Sequence, residues 1–203
     1  MTAGQVGVSR ETRDRLERFA ALLLKWNEKI NLIGKSTVAQ IWDRHIHDSL
    51  QIAQIAIGSN PKVWADLGSG GGFPGLVAAI ALQGAGSETV FHLVESDQRK
   101  AAFLREAARQ LETDIVVHAS RIEETEPLTA SVVSARALAP LRHLCDLSAR
   151  HLSSGGIAVF PKGASWRSEV EEARTAWAFD LDVHASVTDP QAAILVLRGL
   201  CHG

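Results

Sequence analysis

The sequence predicts a doubly wound α/β fold with a mostly parallel sheet. Three observations carry that prediction. Short apolar runs alternate with amphipathic helical runs after Lys62. A glycine-rich loop, Asp66-Leu67-Gly68-Ser69-Gly70-Gly71-Gly72-Phe73-Pro74-Gly75, joins the first such strand to the helix that follows. The next strand, Phe91-His92-Leu93-Val94, runs into an acid, Glu95. Repeated strand–helix order produces a parallel sheet covered on both faces. A glycine turn between strand and helix is where that architecture binds nucleotide-like ligands.

The elements follow in chain order. Leu16, Phe19, Ala20, Leu23, Trp26 and Ile30 recur at three- and four-residue steps, so the chain opens with a helix. Ser9 is placed to cap it, and Glu11 falls in its first turn. Gly34 breaks the pattern. A second helix is expected from about Val38 to Ile57, ended by Gly58-Ser59-Asn60-Pro61. Strands are expected at Val63–Leu67, Val90–Val94, Ile115–His118, Val132–Ala135, Gly156–Pro161 and Ile194–Arg198, with a weaker one near Leu181–Ala185. Helices are expected at Pro74–Leu82, Gln98–Glu112, Leu141–His151 and Arg167–Trp177. No helical pattern separates the last two strands, so they form a terminal antiparallel hairpin. The division expected is an N-terminal helical extension over 1–60 and a ligand-binding α/β domain over 61–203.

Size and charge bound the function. A chain of 203 residues, 46% hydrophobic and 22% charged, can bury a core without disulfides. The net charge of −2 announces no polyanionic partner, so any nucleic-acid surface is a local patch. Cys145 and Cys201 do not form a CxxC pair and read as free thiols of a reducing compartment. No signal-peptide pattern and no run of membrane-spanning length occurs, which points to the cytoplasm.

The glycine loop carries the chemistry. Four glycines fall between positions 68 and 72, a costly concentration for a plain connection. Asp66 at the strand end would repel a pyrophosphate and suits a cationic ligand. S-adenosylmethionine carries both a sulfonium and an ammonium, and D-x-G-x-G-x-G spacing is typical of methyltransferases. Glu95 stands where a ribose diol is held in this fold class. The ending in an antiparallel hairpin is likewise the usual elaboration of the Rossmann-like class I methyltransferase sheet.

Over nearly its whole length the chain resembles the bacterial small-subunit (16S) ribosomal RNA guanine N7 methyltransferases, also called glucose-inhibited division protein B. The pieces are Leu24-Lys25-Trp26-Asn27, Asn31-Leu32, Arg44-His45-Ile46 with Asp48-Ser49, the loop Gly68 to Gly75, Glu95-Ser96 with Arg99-Lys100, Arg121-Ile122-Glu123-Glu124, Arg136-Ala137 and Lys162-Gly163. Two departures stand out: Glu95 is often Asp in relatives, and His47 replaces a usual apolar residue. The resemblance implies a cofactor site made by Gly68, Gly70, Phe73, Glu95, Ile122 and Glu123, with Asp66 and Arg136 beside them. Ile122 and Glu123 also suit an adenine, one apolar contact and one polar group.

Guanine N7 has a lone pair and no proton, so methyl transfer to it needs no general base. Arg136 is expected to position the substrate through O6 or a phosphate and leave N7 free. The exocyclic-amine motif [DNS]-P-P-[YFW] is replaced here by Ser134-Ala135-Arg136-Ala137, and neither cysteine is placed to activate a pyrimidine ring. Asn31, Arg44, His45 and Lys162 are the expected RNA contacts, with Lys35 and Arg142 able to join them. No metal site is expected, because His45 and His47 do not share a helix face. The expected partner is 16S ribosomal RNA or the small ribosomal subunit, and the expected state a monomer. The alternatives are a methyltransferase for a small molecule or protein, a nicotinamide dehydrogenase and a non-catalytic RNA-binding assembly factor.

Overall fold

A computed structural model describes residues 7–203. The first six residues of the expected extension lie outside the described residues. Helix α1 spans Arg10–Asn27, and Ser9 caps it by accepting from Thr12 N–H. It buries Leu16, Phe19 and Leu23 completely. Each such side chain contributes roughly 1.5–3 kcal/mol of burial.

The expected helix over 38–57 is three pieces. A 3₁₀ turn covers Lys35–Gln40, a wide π-helical turn covers Trp42–His47, and helix α2 covers only Asp48–Ile57. No glycine or proline marks the change. Carbonyls of the wide turn serve side chains instead: Arg44 O accepts from Arg136, and His45 O from the Ser49 hydroxyl.

Strands β1 (Val63–Leu67), β2 (Val90–Val94), β3 (Val116–His118), β4 (Ala130–Ser134) and β5 (Leu152–Lys162) run parallel to one another. Strands β6 (Trp177–Ala185) and β7 (Ala193–His202) form the antiparallel end, with β7 beside β5. The sheet order is β3-β2-β1-β4-β5-β7-β6. Helices α3 (Gly75–Gly84) and α4 (Gln98–Gln110) follow β1 and β2, while α5 (Leu141–His151) and α6 (Trp166–Ala173) flank β5.

The expected last helix ran to Trp177, but α6 stops at Ala173 and Trp177 opens β6. Its indole is buried and donates to Asp146, a packing demand that overrides helical spacing. Trp64, Phe91 and Val132 meet α2 and α3 on one face of the sheet. Ala65, Leu67 and Val133 meet α5 and α6 on the other. Helix α1 adds a further apolar cluster with α3 and α4 through Phe19, Phe73, Leu76 and Phe103. The switch between β1 and β4, where strand order reverses, thereby opens at the carboxyl edge of the sheet.

Candidate active site

Two cavities meet at that edge. One, of about 350 Å³, is walled by Gly68, Gly70, Glu95, Lys100, Ile122 and Glu123, among others. The second, of about 410 Å³, is walled by Thr37, Arg44, His45, Asp48, Lys162 and Thr188, with Glu169 and Asp189 nearby. Arg136 and Ala137 line both.

The first cavity is shaped by backbone. Gly68, Gly70 and Gly72 all have positive φ, at 68°, 54° and 91°. A Cβ on Gly68 would stand 2.8 Å from Leu138 Cδ1, another wall residue. Only glycine adopts this path without strain. Glu95 ties the loop to its own turn: Gly70 N–H donates to Oε2 and Asp97 N–H to Oε1, both at 2.8 Å. The Ile122 carbonyl is held by His151, whose Nε2–H donates to it at 3.1 Å. His151 is fully buried and was not singled out from sequence.

Asp66 lies elsewhere than expected. It is fully buried beneath the loop and does not line the cavity. Its Oδ1 accepts from the Ser134 hydroxyl at 2.7 Å and its Oδ2 from Gly75 N–H at 3.1 Å. Ser134 in turn accepts from the Trp64 indole at 2.8 Å. Burial pushes the Asp66 carboxyl up to about 6, against the lowering pull of those donors. Strand alternation explains the outcome: Trp64 and Asp66 share a face, and that face is covered by α3. Asp66 therefore fastens the start of α3 to β1 and β4 rather than facing a ligand.

Phe73 also stays off the cavity wall. Its ring centroid is 5.4 Å from Phe19, 5.0 Å from His45 and 4.9 Å below the Arg136 guanidinium. It joins α1, the π-helical turn and Arg136. The Phe73–Pro74 peptide is cis.

Arg136 is pinned from behind. Its Nη1 donates to Arg44 O at 3.0 Å and its Nη2 to His45 Nδ1 at 2.7 Å. Guanidinium is donor only, so His45 Nδ1 must accept. The ring proton then sits on Nε2 and is given to Thr37 Oγ1 at 2.8 Å, and Thr37 donates onward to Gly34 O at 2.9 Å. Burial first, then the Arg136 and Arg44 charges, lower the His45 pKa to about 4. The ring is neutral near pH 7 and both its nitrogens are occupied. Among the described residues no carboxylate is paired with Arg136; burial lowers its pKa from the ordinary value, against an opposing pull from Asp48 and Asp66 at a distance. Ala137 beside it takes φ 51°, a region few non-glycine residues enter.

The expected RNA contacts separate. Arg44 is exposed, lines the second cavity and lies 3.9 Å from Asp189. His45 is only 8% exposed and supports Arg136. Lys162 is not a free cation: it pairs with Glu169 at 2.7 Å and donates to Ala139 O at 2.8 Å. Asn31 is exposed and lines neither cavity. Asn27, which the resemblance includes without a role, accepts through Oδ1 from the Leu32 and Ile33 amides and shapes the turn after α1. Burial pushes the Cys145 thiol up to about 12, which leaves it inert as a nucleophile.

The family model described as GidB, rRNA small subunit methyltransferase G, matches residues 12–195. A Ribosomal RNA small subunit methyltransferase G from Cereibacter sphaeroides is 52% identical over 200 residues, covering 98% of this chain and 96% of the relative. Its counterpart from Ruegeria pomeroyi is 48% identical, with 98% and 96% covered. Among solved structures, a methyltransferase from Geobacter sulfurreducens superposes with a TM-score of 0.60 at 10% identity, covering 96% of this chain and 99% of that one.

Proposed function

The chain belongs to the GidB family of small-subunit ribosomal RNA methyltransferases, and from that premise we propose that it methylates N7 of a guanine in 16S ribosomal RNA. The donor in this reading is S-adenosylmethionine, held in the cavity of the glycine loop. The fit rests on the positive-φ glycines, on Glu95 for ribose hydroxyls and on Ile122-Glu123 for the adenine. When bound, the donor supplies a methyl group on a sulfonium.

The observation that carries the reading is the shared wall. Arg136 reaches both cavities, is held by Arg44 O and His45, and has no paired carboxylate among the described residues. It is free to place a base acceptor or phosphate beside the donor. Guanine presents O6 next to N7. An arginine on O6 orients the ring and leaves the N7 lone pair for in-line attack. No proton has to leave N7, and the neighbouring imidazole, with both nitrogens engaged, is in no position to take one. Positioning of this kind is worth roughly 7–11 kcal/mol where reacting atoms are well fixed.

In the same reading the helical stretch over 1–60 completes the substrate side of an α/β domain over 61–203. The protein works as a cytoplasmic monomer. Arg44 supplies an exposed cation for RNA. The test is transfer of tritiated methyl groups to unmodified ribosomal RNA and to small subunits, followed by mapping of the altered base. Label on guanine N7 is the expected result. Label on an exocyclic amine or on C5 overturns it.

A further inference from the structure

The second cavity holds three carboxylates, and they differ. Glu169 is paired with Lys162 and also accepts from Leu141 N–H. Asp189 lies against Arg44 and accepts from Gln191 N–H within its own turn. Asp48, the first residue of α2, has no cation paired with it among the described residues. Among the described residues its carboxylate accepts only from the Thr188 hydroxyl. An ionised carboxylate has roughly four acceptor sites, so most of this one's capacity is unspent.

Position gives that capacity a use. Arg136 stands at the passage between the cavities, whereas Asp48 and Thr188 line the second cavity alone. A guanine entering with N7 and O6 toward Arg136 presents its adjoining Watson–Crick edge, which meets the first at O6, to the rest of the cavity. That edge carries N1–H and the N2 amine, two parallel donors whose spacing matches the two oxygens of a carboxylate. Splayed RNA bases are commonly read on this edge. Adenine would bring an acceptor, N1, against the same oxygens.

We infer that Asp48 is the specificity-determining residue that accepts from N1–H and N2–H of the target guanine. Thr188 steadies it. Burial raises the Asp48 pKa from its ordinary value, a desolvation cost that two base donors would offset. The inference rests on the guanine N7 reading above and adds the group that chooses the base.

The experiment uses the full chain and small subunits carrying either guanine or inosine at the target position. Inosine keeps N7, O6 and N1–H but lacks the N2 amine. For the unaltered enzyme kcat/KM is expected to fall about 10-fold or more with inosine, the usual loss for a hydrogen bond to a charged group. Asp48→Asn is expected to bring the guanine-to-inosine ratio close to one, with guanine turnover reduced. The ratio of ratios cancels any effect of inosine on the RNA itself. Thermal shift by S-adenosylmethionine checks that the donor cavity survives the substitution. Should Asp48→Asn fail to fold, Thr188→Val decides, and its ratio is expected to fall in the same direction. A ratio that is unchanged in the folded variant, or near one in the unaltered enzyme, overturns the inference while leaving N7 methylation intact. Label mapped away from guanine N7 instead overturns the underlying reading.

Discussion

At the scale of single residues, the site is governed by which groups are already satisfied. Arg136 has its back secured and its outer face free, so its replacement should be read as lost placement. Arg136→Ala is expected to lower kcat/KM for RNA at least about 100-fold, the cost of losing a charge-assisted contact of ~3 kcal/mol. Arg136→Lys should recover only part of it, because an ammonium cannot bond Arg44 O and His45 together in one plane. Steady-state kinetics with thermal-shift controls would check both.

His45 has a consequence for stability. Its folded pKa of about 4 lies below the ordinary value of 6.5. Below pH 6.5 the unfolded chain takes up a proton that the folded chain refuses, so stability drops as the pH falls toward 4. The full effect is up to about 3 kcal/mol. Asp66 runs the other way, since its folded value of about 6 exceeds 3.8 and its penalty grows as the pH climbs between them. His92, His118 and His151 are also lowered and act with His45. The cleanest readout is therefore a difference. Urea unfolding of His45→Asn should lose less stability than the parent between pH 6.5 and 4, by about the amount given above. Parallel curves would refute it.

None of this was visible along the chain. Arg136 and His45 are 91 positions apart, and only the fold brings them to 2.7 Å. The pairing of Lys162 with Glu169 removes a cation that sequence alone leaves free. Asp66 is the instructive case, because strand alternation already put it on the side of Trp64, yet nothing local says which side α3 covers.

At the scale of elements, legibility follows periodicity. The glycine loop, the strands and the amphipathic α1, α4 and α5 have strong local patterns, and the structure places them within a few residues of expectation. The π-helical turn has no such pattern. Its shape is set by the bonds that Arg136 and Ser49 make to its carbonyls. Helix α1 is tied to the site through one stack, Phe19 on Phe73 and Phe73 beneath Arg136. Phe19→Ala is expected to cost about 3–5 kcal/mol in urea unfolding, as for other fully buried aromatics. Phe19→Leu should cost far less. Equal losses for both would mean that cavity formation is not the cause.

At the scale of the whole molecule, charge is nearly balanced and few cations face the second cavity. Arg13, Arg99, Arg109, Lys162 and Arg198 all pair with carboxylates, and the chain as a whole carries −2. Of the cations, Arg44, Arg136 and Lys162 line the second cavity, and Lys162 is already paired. The dependence of RNA affinity on salt should accordingly be shallow, a log–log slope no steeper than about −3. Arg44→Ala should flatten it by about one. Filter binding across a sodium chloride series would measure both, and a slope near −8 would point to a basic surface not yet recognised.

One guanidinium and one backbone turn form a party wall between two rooms. In the proposed reading a tenant in either room leans on that wall, so the free energy of filling one depends on whether the other is let. Linkage makes the dependence mutual: whatever factor the nucleic acid applies to donor affinity, the donor applies in equal measure to the nucleic acid. Spent donor, stripped of its methyl and of the positive charge on its sulfur, presses differently on the same arginine, and in the proposed reading that difference offers the enzyme a way to loosen its hold on finished RNA.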